Sequence, residues 1–95
     1  MHETQTKVVT LIAECAFEHK LIDLIEHAGA VGYWIEKLDK GRGHPGSRAD
    51  TLEREQLIKL TTVVAPDVAE AILHELTDSV LPAYGVKAVR AVHLW

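Results

Sequence analysis

Ninety-five residues with 47% hydrophobic and 25% charged side chains have the balance of one soluble domain, residues 1–95. Only about 60–65% of the unfolded surface is buried in so small a fold, so assembly with further copies is an expected source of stability. A formal net charge of −4 argues against nucleic acid and anionic lipid as partners, the lone Cys15 excludes an internal disulfide and fits a cytoplasmic setting, and no apolar run reaches the ~20 residues that cross a bilayer.

In chain order, Lys7 to Cys15 alternates as a strand, with Val9, Leu11, Ala13 and Cys15 on one face and Val8 and Ile12 on the other. Cys15 then reads as a small buried apolar residue. From Phe17 the period becomes helical through Leu21, Leu24, Ile25 and Ala28, and Gly29 supplies the stop. Gly32 to Leu38 has the aromatic and β-branched content of a second strand. Tyr33 and Trp34 alternate across it, and Trp34 reads as core or subunit interface rather than a base-stacking platform.

The run Lys40-Gly41-Arg42-Gly43-His44-Pro45-Gly46-Ser47-Arg48 follows, and a polar stretch from Ala49 to Gln56 completes a connection of about 39–56. Ordering so long a loop costs roughly 1–2 kcal/mol of backbone entropy per residue, which favours a function over a plain link. Glycines let several N–H groups converge on one anion, and Lys and Arg supply the matching charge, so a phosphate-bearing ligand is the first candidate.

Leu57 to Val64 is the third strand, with Ile58, Leu60, Thr62 and Val64 opposite Leu57, Lys59, Thr61 and Val63. Pro66-Asp67 opens a second helix with Val68, Ile72, Leu73, Leu76 and Val80 as its buried stripe, broken at Pro82 and Gly85. Val86 to Trp95 reads as the last strand. Thr10-Leu11-Ile12-Ala13 before one helix is matched by Thr62-Val63-Val64-Ala65 before the other, so the order βαββαβ looks like a unit repeated. Right-handed crossovers then give a ferredoxin-like plait: a four-stranded antiparallel sheet with both helices on one face. Apolar residues on the other face predict that another subunit covers it.

Gly29-Ala30-Val31-Gly32-Tyr33-Trp34-Ile35, followed by Gly41-Arg42-Gly43 at the base of the long loop, resembles the PII-like signalling proteins, nearest their SbtB-type and carboxysome-associated branch. The resemblance implies a non-enzymatic homotrimer that binds adenine nucleotide in clefts between subunits. Its T-loop, about 39–56, responds to the ligand and docks on a partner, often a membrane transporter or channel. Gly41 and Gly43 match the phosphate-approaching loop base, Gly32 and Tyr33 the turn beside adenine, and Thr61 the strand lining the base pocket. Arg42 or Arg48 would neutralise phosphate, since His44 stands at the loop-base arginine position; Gly46 shares the loop, and Lys87 and Arg90 are the remaining nearby cations. Between Gly41 and Gln56 there is no tyrosine to be modified, and short Leu81-Pro82-Ala83-Tyr84-Gly85 replaces a second phosphate loop. The resemblance therefore implies AMP or ADP before ATP, and bicarbonate as a second ligand, with no tightly bound cofactor.

Two other readings share the plait. A CutA-type trimer would bind metal through surface histidines, and His19, Asp23 and His27 do recur at i, i+4 and i+8. Glu18, Lys20 and Glu26 around them make a solvated stripe the simpler reading, so no metal site is assigned. An ACT-like amino-acid sensor is the third reading, disfavoured because such modules usually accompany an enzyme. No nucleophile motif or Walker loop is present.

Overall fold

The computed structural model describes residues 5–38 and 56–95. Strand β1 (Lys7–Glu14) leads through a 3-10 turn at Cys15–Phe17 into α1 (Glu18–Ala28), followed by β2 (Trp34–Leu38) and β3 (Leu57–Val64). The second helix, α2 (Pro66–Glu75), continues through a π turn at Leu76–Val80 into the short α3 (Leu81–Tyr84); a 3-10 turn at Gly85–Lys87 precedes β4 (Ala91–Leu94). The sheet runs β2-β3-β1-β4 with every neighbour antiparallel, the strand order of the ferredoxin-like plait.

Register divides the sheet into a covered and an open face. Leu11 pairs with Leu60, Val9 with Thr62 and Ala13 with Ile58, and all six are fully buried. Val9, Leu11, Ala13 and Leu60 join one core with Leu21, Leu24 and Ile25 of α1, Ala69 and Ile72 of α2, and Leu76 and Val80 of the π turn. One face of the two central strands, β1 and β3, therefore packs under both helices, as the alternation predicts. On the open face, a row crosses all four strands: Trp34 lies opposite Thr61, Thr61 opposite Thr10, and Thr10 opposite His93. Trp95 stacks on His93 with ring centroids 6.2 Å apart, and its N–H donates to the Val8 carbonyl, so the ladder runs past β4.

The stop at Gly29 is a Schellman motif. Gly29 N–H donates to the Glu26 carbonyl and Ala30 N–H to the Ile25 carbonyl, with Gly29 at φ +119°. A Cβ here would also stand 3.2 Å from Val68 Cγ2 of α2. Gly29→Ala is expected to destabilise by about 2 kcal/mol through left-handed strain and that close approach. In thermal unfolding the midpoint should fall by about 10 °C; an unchanged midpoint would show that the helix end relaxes freely.

Four expectations change. Cys15 lies in the 3-10 turn and is half-buried, because the strand ends at Glu14, one residue before the reading from alternation. β2 starts at Trp34 rather than Gly32, leaving Gly32 and Tyr33 in the turn. Pro82 does not break the second helix. Proline cannot donate to the carbonyl four residues back, and widening into a π turn just before it lets the helix restart with Pro82 in its first turn. β4 begins at Ala91, not Val86: Gly85 at φ +65° turns the chain, and Ala88 and Val89 enter the core from a turn rather than a strand.

Candidate functional site

Of the sequence-predicted residues, Gly32, Tyr33 and Thr61 lie at the start of β2, which at about 3.3 Å per residue is about 16 Å long. At its start, Gly32 and Tyr33 form the turn from α1. Thr62 Oγ1 donates to the Gly32 carbonyl at 2.5 Å, tying this turn to β3 through a fully buried side chain. Thr61, the neighbour of Thr62, points to the open face and lies opposite Trp34. Thr61 is nearly buried, while Trp34 is 54% exposed and so is no part of the core.

At the other end of the sheet, Leu38 pairs with Leu57 and Leu57 with Glu14. Cys15 N–H donates to the Gln56 carbonyl at 2.9 Å, holding the start of β3 against the end of β1. Arg90 reaches the same end from the far edge. Its N–H donates to the Ile12 carbonyl and its Nη2 donates to Glu14 Oε2 at 3.1 Å. Lys87 is exposed in the turn before it. Gly41, Arg42, Gly43, His44, Gly46 and Arg48, with the proposed T-loop to residue 55, lie outside the described residues.

Within one chain, then, Gly32, Tyr33, Trp34 and Thr61 come together, whereas Lys87 and Arg90 stand across two intervening strands from β2. β2 is an edge strand, with one side of its backbone unpaired within the described sheet. Sequence reasoning missed the Thr62 tether and the Glu14 partner of Arg90, because neither residue carries a motif and the partners lie 30 and 76 residues away.

A groove of about 500 Å³ opens between α1 and the π turn, lined by Lys20, Asp23, His27, Glu75, Ser79 and Tyr84 among others. Lys20 Nζ stands 5.0 Å from the Tyr84 ring centre, and Phe17 meets the same ring edge-on. His19, Asp23 and His27 are exposed on α1, and among the described residues no group of three or more His, Cys, Asp or Glu is placed to hold a metal ion. No described helix is long and apolar enough to cross a membrane.

A βαββαβ plait with one helix-covered sheet face, one open face, and a long connection between its second and third strands defines the architectural class. The profile of the family described as nitrogen regulatory protein P-II matches residues 6–93. The chain therefore belongs to the P-II family of signalling regulators. Among solved structures it is similar to a protein of Thermus thermophilus described as PII-like signalling, at 30% identity and TM-score 0.68 over 95% of this chain and 82% of that one. CPII of Thiomonas intermedia, bound to ADP and bicarbonate, has 22% identity and TM-score 0.67 over 98% and 89% of the two chains. B. subtilis GlnK in complex with ATP shares the fold at 13% identity and TM-score 0.62 over 98% and 84%. No individually curated protein matches the chain.

Proposed function

We propose that this protein is a non-enzymatic cytoplasmic sensor of adenine nucleotide, with ADP or AMP favoured over ATP and bicarbonate as a second ligand. It acts as a homotrimer assembled through the open sheet face. The observation that carries this reading is β2: an edge of the described sheet that leads from the Gly32–Trp34 turn directly to the base of the Gly41–Gly43 loop. Its length is comparable with an extended nucleoside diphosphate. A ligand laid along that edge has its base beside Gly32, Tyr33 and Thr61 and its phosphates at Gly41, Arg42, Gly43, His44, Gly46 and Arg48. Lys87 and Arg90, at the far edge of their own sheet, reach the site from a neighbouring protomer. The ADP and bicarbonate bound by Thiomonas CPII support this ligand pair and the bicarbonate-linked branch.

Ligand binding then selects one conformation of the loop at 39–56, which docks on a bicarbonate or ion transporter or a carboxysome-related partner. A ligand achieves this only through its differential affinity for the loop states. Isothermal titration with AMP, ADP, ATP, cyclic AMP and bicarbonate tests the reading. Heat of binding is expected with ADP and AMP, weaker heat with ATP, and a bicarbonate response that increases when nucleotide is present. No heat with any of them at concentrations sensitive to micromolar affinity overturns it.

A further inference from the structure

Arg90 is held twice by β1. Its backbone N–H bonds to Ile12 and its guanidinium to Glu14, whose side chain is 21% exposed against 37% for Arg90. The residue after Glu14 holds the chain where it enters β3, through Cys15 N–H and the Gln56 carbonyl. Glu14 thus stands between a cation and the point at which the long connection rejoins the sheet. A half-exposed ion pair of this kind is weak enough to be exchanged, and a guanidinium is better satisfied by a phosphate, which accepts two parallel N–H bonds and carries more charge.

Resting on the nucleotide reading above, we infer that Glu14 is the resident counter-ion of Arg90, which the terminal phosphate of a nucleotide must displace. Glu14 is then a specificity-determining residue. It sets a threshold that a dianionic phosphate passes and that a monoanion such as bicarbonate, no stronger an acceptor than the carboxylate, does not. No bond is made or broken in the exchange; Arg90 changes partner, and Glu14 is released beside the loop's exit.

Calorimetry with ADP and with adenosine on wild type, Glu14→Gln, Arg90→Ala and the double variant tests the inference, with circular dichroism and thermal melting confirming folding. Glu14→Gln is expected to bind ADP about fivefold tighter, because no pair has to be opened, and to bind adenosine as wild type does. Arg90→Ala should bind ADP more weakly, and adding Glu14→Gln to it should change nothing. Glu14→Asp, which keeps the charge but shortens the reach, should fall between wild type and Glu14→Gln and serves if the glutamine variant does not fold. If wild type binds ADP and Glu14→Gln binds it equally or less well, or gains as much without Arg90, the inference fails and the nucleotide reading stands. If wild type does not bind ADP, both the inference and the ADP reading fail, whether or not Glu14→Gln binds it, since a threshold that ADP cannot pass is not the one inferred.

Discussion

Replacing Ile12 by aspartate is expected to leave a folded protomer that no longer assembles. Ile12 is half-buried at the centre of the open face, opposite Lys59 of β3 and Ala91 of β4. In a lone chain the new carboxylate faces the Lys59 ammonium across the strands, a pairing worth roughly 0.2–1 kcal/mol, so the protomer tolerates it. Lys59 already lies 3.6 Å from Glu36, and the three side chains would share a solvated cluster. Closing the trimer removes that solvent from each copy, at an effective penalty of several kcal/mol per ion in round terms. Sedimentation velocity at micromolar concentration should show wild type as a trimer of 10.5 kDa chains and Ile12→Asp as a monomer with unchanged circular dichroism. A trimeric variant, or a monomeric wild type, would show that this face is not where the subunits meet.

What the sequence disclosed depended on whether the governing physics was local. β3 was legible from Leu57 to Val64 because apolar and β-branched residues run almost its whole length with no breaker inside it. The end of α1 was legible because only glycine sits comfortably at the φ that Gly29 adopts. The last strand was misjudged, since the apolar pair Ala88-Val89 buries equally well from a turn, and nothing local separates the two. Pro82 misled for a related reason: a proline's effect depends on whether the turn before it widens, which packing of Leu76 and Val80 into the core allows.

The site divides in the same way. The glycines of the α1–β2 turn and of the long connection stand out in the sequence as candidates for backbone contact with a ligand. Glu14 and Arg90 were not readable as a pair, because in sequence each looks like any solvated charge and only the sheet order brings β4 beside β1. Trp34 shows the limit of alternation: period 2 places it opposite Ile35, which packs on the core, but leaves open whether its own face is covered.

Leu11→Ala is expected to have the converse effect to Ile12→Asp, because the two neighbours on β1 point to opposite sides of one sheet. Leu11 is fully buried beneath both helices, between Leu60 of β3 and Val92 of β4. A strand held on both sides cannot move inward to fill the space of a lost isobutyl group, so the substitution leaves a cavity. Its cost falls in the range found for such truncations, about 3 kcal/mol, against a total stability of about 5–14 kcal/mol for a domain of this length. The unfolding midpoint should drop by about 15 °C at matched protein concentration, a condition that matters because assembly adds to the apparent stability of any variant that still assembles. Below that midpoint Leu11→Ala should sediment as wild type does, since its open face is untouched. Thermal melting and sedimentation together thus separate the two faces. If Leu11→Ala dissociated the assembly without lowering the midpoint, the assignment of β1's odd-numbered residues to the core and its even-numbered residues to the interface would be reversed.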